Sequence, residues 1–223
     1  MPSWNIHIAH VERLLREKGA RSLGIRDENA FLFGNVLPDV YVGYMVKHPS
    51  IRIDYKLTHL TMRDHIPIPR YQDFWDFYVV NPHGYGADCV TDLVKGAWCH
   101  LVCDNVYNTH TRAFLRKVHL RAGETARIKK QGDFALFGRT LDISSVPEPD
   151  HELISQCRAF PMYRVVEPDI SAACSVCENI VCENCASHIE GSPDYELLTP
   201  GFFETAQAEA HARMIEGLQD IRR

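Results

Sequence analysis

The feature that most constrains this chain is a histidine and an aspartate inside an otherwise apolar stretch. Residues 88–108 are mostly apolar and predict a long helix buried on nearly all sides. His100 and Asp104 lie four residues apart in it, so they share one helix face and can hold one cation together. A carboxylate is costly to bury unless it is paired or binds a metal, although a histidine–aspartate pair of this spacing also occurs as a plain ion pair.

His110 follows Asp104 by six residues, which is about 120° around a continuous helix. It is therefore predicted to face a second ion, unless the helix breaks near Asn105 or Asn108. Asp104 can then bridge two ions, one held with His100 and one with His110.

Further ligand candidates lie on other segments. Residues 4–18 predict an amphipathic helix with His7 at the edge of its apolar stripe and His10 outside it, so His7 is expected to point inward and His10 outward. The stripe consists of Trp4, Ile8, Val11, Leu14 and Leu15.

Two more candidates are Asp39 and His59. Asp39 is fixed in a Pro-Asp turn after a short apolar helix at 27–34, and His59 lies in a His-, Pro- and Arg-rich segment, 47–70, which predicts a long ordered loop. Nitrogen and oxygen ligands from separate elements suit a zinc hydrolase, in which an open metal position activates water. Four aromatic residues are expected either to line this pocket or to belong to the core: Trp4, Tyr55, Phe74 and Tyr78.

The rest of the chain also predicts helices and few strands. Further helices are expected at 71–80, 110–120, 124–138, 149–158, 169–190 and 199–221, with a glycine-containing loop from Asn81 to Gly86. The fold class is therefore all-α. We expect a single helical domain over 1–223, with a metal-site core at 1–115 and a helical C-terminal part at 116–223.

Charge and hydropathy exclude some functions. With a net charge of −5, the chain lacks the excess of basic residues that a dedicated nucleic-acid-binding surface needs. Lys129-Lys130 is predicted to be a solvated face. No apolar run approaches membrane-spanning length, and the first residues lack the pattern of a signal peptide. A cytoplasmic location, where thiols stay reduced, is expected.

Cysteines form a second notable pattern, at positions 174, 177, 182 and 185. Two CxxC pairs often indicate a structural metal, but here the linker is short and the segment predicts a helix. The favoured interpretation is a helix that packs small thiols into the core. A soft-metal site or a thiol-based sensor is the alternative.

The ordered set of ligand candidates resembles the zinc-dependent phospholipase C family, which is related to the single-strand-specific zinc nucleases. The resemblance rests on His7, the run from Gly34 to Asp39, Thr58-His59 and the series His100, Asp104, His110, so it covers roughly residues 1–115. It implies an all-α fold with one to three zinc ions and hydrolysis of phosphate esters, either a phospholipid head group or another phosphodiester.

The resemblance also implies individual roles. Asp39, His59, His100 and Asp104 would hold a central zinc, His7 would join Asp104 on a second ion, and His110 would begin a third site. Asp39 would also be the general base beside the attacking water.

This chain departs from the family at the third site. The family completes that site with a histidine followed four residues later by glutamate, and no such pair occurs here. Possible substitutes are His119, Glu124, Asp133, Glu148 and His151. The alternative hypothesis is therefore a non-catalytic metal-binding or structural module on the same fold.

Overall fold

A computed structural model describes residues 2–80 and 90–220, and this part of the chain is helical without any β-strand. The all-α prediction is confirmed for these residues. The helices are α1 (Trp4–Lys18), α2 (Glu28–Gly34), α3 (Leu37–Val40), α4 (Tyr55–Thr58), α5 (Tyr71–Trp75), α6 (Asp92–Lys117), α7 (Glu124–Gly138), α8 (His151–Arg158), α9 (Glu167–Ala186) and α10 (Pro200–Asp220). A 3₁₀ turn follows α1 at Ala20–Leu23, and a π-helical turn follows α5 at Asp76–Val80.

Several helices begin where a polar side chain can accept a backbone hydrogen bond. Asp27 caps α2 by accepting from the Ala30 amide at 2.9 Å, and Thr199 caps α10 by accepting from the Phe202 amide at 3.2 Å. The Asp169 carboxylate, in the first turn of α9, accepts from the Ser50 amide at 3.0 Å. The helix predicted at 169–190 begins at Glu167 and ends at Ala186.

Helix α6 is the centre of the fold and packs against α2 and α10. Buried residues from both halves of the chain, among them Leu14, Phe31, Leu101, Phe134 and Met214, pack together in one hydrophobic cluster. No helix in the described ranges combines the length and the hydropathy needed to cross a lipid bilayer.

The helices predicted at 88–108 and 110–120 form one continuous helix, α6, from Asp92 to Lys117. It does not break near Asn105 or Asn108, the alternative considered from the sequence, and both asparagines bind the preceding loop. Asn105 donates to the Pro69 carbonyl at 2.7 Å and Asn108 donates to the Pro67 carbonyl at 2.8 Å. These bonds fix the 47–70 segment against α6. The predicted loop from Asn81 to Gly86 lies outside the described residues.

His10 is buried, contrary to the outward position predicted for it. It is 2% exposed and its Nε2 lies 3.2 Å from the Tyr107 hydroxyl. The stripe of α1 suggests one buried face, but α1 packs against α6, α7, α9 and α10 together. Burial lowers the pKa of His10 to about 3, so this histidine is neutral at physiological pH.

Candidate metal centre

Helix α6 supplies the central pair of the site. His100 and Asp104 are both fully buried, four residues apart on one face. The backbone of α2 approaches this helix closely, because a Cβ added to Gly96 would lie 2.2 Å from the Phe31 carbonyl oxygen. This contact brings the end of α2 and the following α3 against the face that carries the pair.

Helix α1 adds His7, which is fully buried. Its ring stacks on that of His100, with 4.0 Å between centroids and 5° between planes. Its Nε2 lies 3.4 Å from Asp104 Oδ1. His7 therefore points inward, as the periodicity of the helix predicts.

Asp39 and His59 complete the cluster from α3 and from the residue after α4. His59 Nε2 lies 3.6 Å from Asp39 Oδ1, 3.5 Å from Asp104 Oδ2 and 3.0 Å from His100 Nε2. Two groups result whose ligand atoms lie within 4.8 Å of one another and which can each hold a metal ion. They are His7, His100 and Asp104, and Asp39, His59 and His100.

Hydrogen bonds fix which imidazole nitrogens face the site. His100 Nδ1 donates to the Asn35 carbonyl at 2.8 Å, so a neutral His100 carries a lone pair on Nε2. The Thr58 hydroxyl lies 2.7 Å from His59 Nδ1, so Nε2 is the nitrogen of His59 that faces His100 Nε2, at 3.0 Å. Either a hydrogen bond donated by His59 Nε2 or a cation can satisfy the Nε2 lone pair of His100.

Both carboxylates are also oriented by donors. Trp4 Nε1 donates to Asp39 Oδ2 at 3.0 Å, and the Tyr55 hydroxyl donates to Asp104 Oδ2 at 2.7 Å. The other oxygen of each carboxylate and both ring nitrogens of His7 are buried without a hydrogen-bond partner among the described residues. Unpartnered buried polar atoms of this kind fit a bound cation. Trp4 and Tyr55, whose roles the sequence left open, thus orient the candidate ligands.

The electrostatics keep the histidines available as ligands. Burial and the neighbouring His100 lower the pKa of His7 to about 4, and burial lowers the pKa of His59 well below its usual value. Burial raises the pKa of Asp39. Burial would also raise the pKa of Asp104, but its hydrogen bond with His7 and its closeness to the His100, His7 and His59 rings hold the pKa below the usual range. At neutral pH, His7 and His59 are therefore uncharged and able to bind a cation.

His110 lies outside both groups, although the sequence placed it at a third metal. It is partly exposed, and its Nε2 lies 2.6 Å from Glu209 Oε2 on α10. Arg213 pairs with the same glutamate at 2.5 Å. Glu209 is 99 residues from His110 in the chain, and no local spacing could reveal it. Among the suggested substitutes, Asp133 instead accepts backbone hydrogen bonds at the 196–198 segment.

Lys130 on α7 is a second residue whose environment the sequence did not reveal. The prediction of a solvated Lys129-Lys130 face is wrong for Lys130, which is 3% exposed. A signal exists in retrospect, because Lys130, Phe134 and Phe137 recur at helical spacing and share the buried face of α7.

The cysteine pattern does not form a metal site in the described residues. Its segment is helical, and it divides into a buried pair, Cys174 and Cys177, and an exposed pair, Cys182 and Cys185. Burial raises the pKa of Cys174 to about 12 and raises that of Cys177 as well. The buried thiols are therefore protonated and packed in the core.

Comparisons with known proteins give no relative: no family model, no curated protein and no solved structure matches this chain.

Proposed function

We propose that this protein is a zinc-dependent hydrolase of phosphate esters, a phospholipase C-like phosphodiesterase on a phospholipase C-like helical fold. The observation that carries the proposal is the pair of buried histidine–aspartate groups that share His100. Their ligand atoms face one another, and several have no hydrogen-bond partner among the described residues. A cation in either group would satisfy an unpartnered carboxylate oxygen and, in the group with His7, one of its ring nitrogens.

Zinc suits this donor set. Imidazole nitrogens combined with carboxylate oxygens favour zinc over calcium or magnesium, which prefer oxygen ligands. Each group offers three side chains, which leaves a coordination position for water or substrate. A zinc ion bound there would polarise a phosphate oxygen and lower the pKa of water.

The chain's own residues then have distinct roles. His100 lies in both groups and is held by the Asn35 carbonyl, so it would anchor the metal centre. Asp39 has one oxygen fixed by Trp4 and the other unpartnered, directed towards His59. With a metal held by His7, His100 and Asp104, that oxygen would stay free to accept a proton from an attacking water, which supports Asp39 as the general base.

Tyr55 is a partly exposed residue in contact with two candidate ligands. All five candidate ligands are at most 2% exposed: His7, Asp39, His59, His100 and Asp104. Tyr55 is only partly buried, stacks on His59 at 3.7 Å and binds Asp104 through its hydroxyl. A phosphate ester that reached the centre from this side would contact the Tyr55 ring.

The near-complete burial of the ligands favours a second candidate function. Structural zinc sites are closed, whereas catalytic sites keep an open position. A non-catalytic metal-binding module would use the same groups to stabilise the fold. In that case His110, paired with Glu209, would have no metal to bind.

Metal content and activity separate the two candidates. Zinc would be measured by elemental analysis in protein purified without chelator, for the wild type and a His100→Ala/Asp104→Ala variant. His188→Ala is the control, since His188 lies 3.8 Å from Asp142 away from both groups. We expect stoichiometric zinc in wild type and control, loss of zinc in the double variant, and zinc-dependent hydrolysis of bis(4-nitrophenyl) phosphate.

The outcomes are distinct. Stoichiometric zinc without hydrolysis of any phosphodiester would exclude the hydrolase and support the non-catalytic metal-binding module. Wild-type protein that binds no zinc, or binds it equally well in the double variant, would overturn both candidate functions.

A further inference from the structure

His59 and Asp104 face each other in the candidate metal centre but belong to separate parts of the chain. His59 Nε2 lies 3.5 Å from Asp104 Oδ2. Asp104 lies in the middle of the long helix α6, whereas His59 directly follows α4, a single turn with little stability of its own. A metal ion needs its ligand atoms at fixed positions, so other contacts have to hold the His59 backbone relative to α6.

The backbone that follows His59 has a conformation that side chains rarely adopt. Leu60 has a φ of 49°, in the left-handed region that favours glycine. The Thr61 amide donates to the Lys56 carbonyl at 3.0 Å, which closes the end of α4 as a Schellman motif with leucine in the usual place of glycine. Such a conformation persists where the surrounding structure holds it, so we looked for the contacts of this peptide.

Arg70 binds this backbone from the other end of the same loop. Its Nε donates to the Leu60 carbonyl at 2.7 Å. Its Nη1 lies 3.2 Å from Asp73 Oδ2, an ion pair that orients the guanidinium group at the start of α5. Since Leu60 directly follows His59, Arg70 restrains the peptide next to a candidate ligand.

Asn105 connects the same loop with the other ligand. It directly follows Asp104, and its Nδ2 donates to the carbonyl of Pro69, the residue before Arg70. A closed ring results that runs from Asp104 through Asn105, Pro69, Arg70, Leu60 and His59 and returns to Asp104 across the metal centre. Each step is either a peptide bond or a contact of at most 3.5 Å between two side-chain or carbonyl atoms.

We propose that Arg70 and Asn105 are positioning residues that hold His59 and Asp104 at the separation a bound metal ion requires. This role rests on the proposed function, because it needs a metal in the centre. It extends that function to two residues outside the ligand groups. Their hydrogen bonds act in series, so the loss of either one opens the ring, and the loss of both should cost little more than the loss of one.

The test measures zinc affinity by competition with a chelating dye. Arg70→Met removes the donors and keeps a long side chain, and Asn105→Ala removes the amide. Arg63→Met is the control, because Arg63 is exposed in the same loop and has no hydrogen bond or ion pair among the described residues. We expect affinity to fall about fivefold to tenfold in either single variant and to stay unchanged in the control. The double variant should lose no more than about twofold further.

Cobalt-loaded protein separates positioning from a general loss of stability. The visible absorption of Co²⁺ responds to the geometry of its ligands, so it should change in Arg70→Met and in Asn105→Ala. Arg70→Lys keeps a donor for the Leu60 carbonyl and should restore both the spectrum and most of the zinc affinity. Should Asn105→Ala not fold, Arg70→Met decides, since the Arg70 side chain is 57% exposed and contributes little to the core.

Three outcomes would overturn the positioning role and leave the metal centre. They are an unchanged zinc affinity in Arg70→Met, a reduced affinity with an unchanged cobalt spectrum, and losses that add fully in the double variant. Wild-type protein that binds no zinc would overturn the metal centre and this role together. Wild type and variants that show the expected zinc affinities but hydrolyse no phosphodiester would overturn the hydrolase and leave the positioning role.

Discussion

At the scale of single residues, the site depends on side chains that hold the candidate ligands in place. His100 and His59 each use Nδ1 in a local hydrogen bond, so Nε2 is the nitrogen left to face the centre. Trp4 and Tyr55 each donate a hydrogen bond to one oxygen of a carboxylate and leave its other oxygen to face the centre. Such partners fix ligand orientation, and their loss commonly weakens metal affinity by 10–100-fold.

Tyr55→Phe tests whether such a hydrogen bond orients Asp104, and it removes only one hydroxyl group. It removes the hydroxyl that donates to Asp104 at 2.7 Å and keeps the ring that stacks on His59. We expect zinc affinity, measured by competition with a chelating dye, to fall about tenfold. The free energy of unfolding should fall by only about 1 kcal/mol, the net value of one hydrogen bond.

Tyr44→Phe is the control for Tyr55→Phe, because Tyr44 is 75% exposed. It should leave both zinc affinity and stability unchanged. An unaltered zinc affinity in Tyr55→Phe would show that Asp104 needs no orientation by Tyr55.

At the scale of helices, the site depends on the close approach of the α2 and α6 backbones, which meet at glycine residues. A Cβ added at Gly34 would lie 2.2 Å from the Leu93 carbonyl oxygen, and one at Gly96 would lie 2.2 Å from that of Phe31. Side chains at either position would separate the two backbones. The Asn35 carbonyl that binds His100 follows directly after this contact.

Gly96→Ala should therefore damage fold and site together. The added methyl group has no space, so we expect a loss of about 1–3 kcal/mol in the free energy of unfolding, measured by urea denaturation, together with weaker zinc binding. Gly132→Ala on α7 is the control, because nothing lies within 4 Å of its added Cβ. That substitution should stabilise the protein by about 0.5–1 kcal/mol. Equal effects of the two substitutions would contradict the close approach of α2 and α6.

Helix α9 supports a separate prediction about its thiols. Cys182 and Cys185 are exposed, whereas Cys174 and Cys177 are buried. In the native protein, maleimide labelling followed by peptide mass analysis should modify the exposed pair rapidly. The buried pair should react only after unfolding, since burial raises the pKa of both thiols. Rapid labelling of Cys174 in the native state would contradict the packing of α9.

These elements show which features a sequence can predict. The periodicity of a helix is a local property, so the range of α7 and the inward direction of His7 were predictable from the sequence. The burial of His10, by contrast, depends on helices distant in the chain that cover a second face of α1. The pairing of His110 with Glu209 spans 99 residues and has no local signature.

At the scale of the whole molecule, the candidate metal centre places several polar atoms without hydrogen-bond partners inside the hydrophobic core. Burial raises the pKa of Asp39 in the metal-free fold, which means that the folded state holds this proton more tightly than the unfolded state. Stability therefore falls as the pH rises above the ordinary pKa of aspartate, and the loss is complete above the folded pKa. At neutral pH, Asp39 costs the metal-free protein stability.

Bound zinc should reverse the sign of that effect, and Asp39→Asn tests the reversal. Asparagine can still accept the Trp4 hydrogen bond but carries no charge, so the metal-free variant should have a higher Tm than the metal-free wild type at neutral pH. With free zinc a thousandfold above its Kd, the wild type should gain about 4 kcal/mol. The variant should gain much less, because an amide is a poor zinc ligand.

Asp142→Asn is the matched control, since the Asp142 side chain is 95% exposed and belongs to neither ligand group. Its Tm should follow that of the wild type with and without zinc. If metal-free Asp39→Asn proved less stable than the wild type, Asp39 would be contributing to the fold through its charge, and its burial would need no metal to explain it. A crossover, in which the variant is more stable without zinc and less stable with it, would mean that this core retains a destabilising carboxylate because the folded protein binds a cation there.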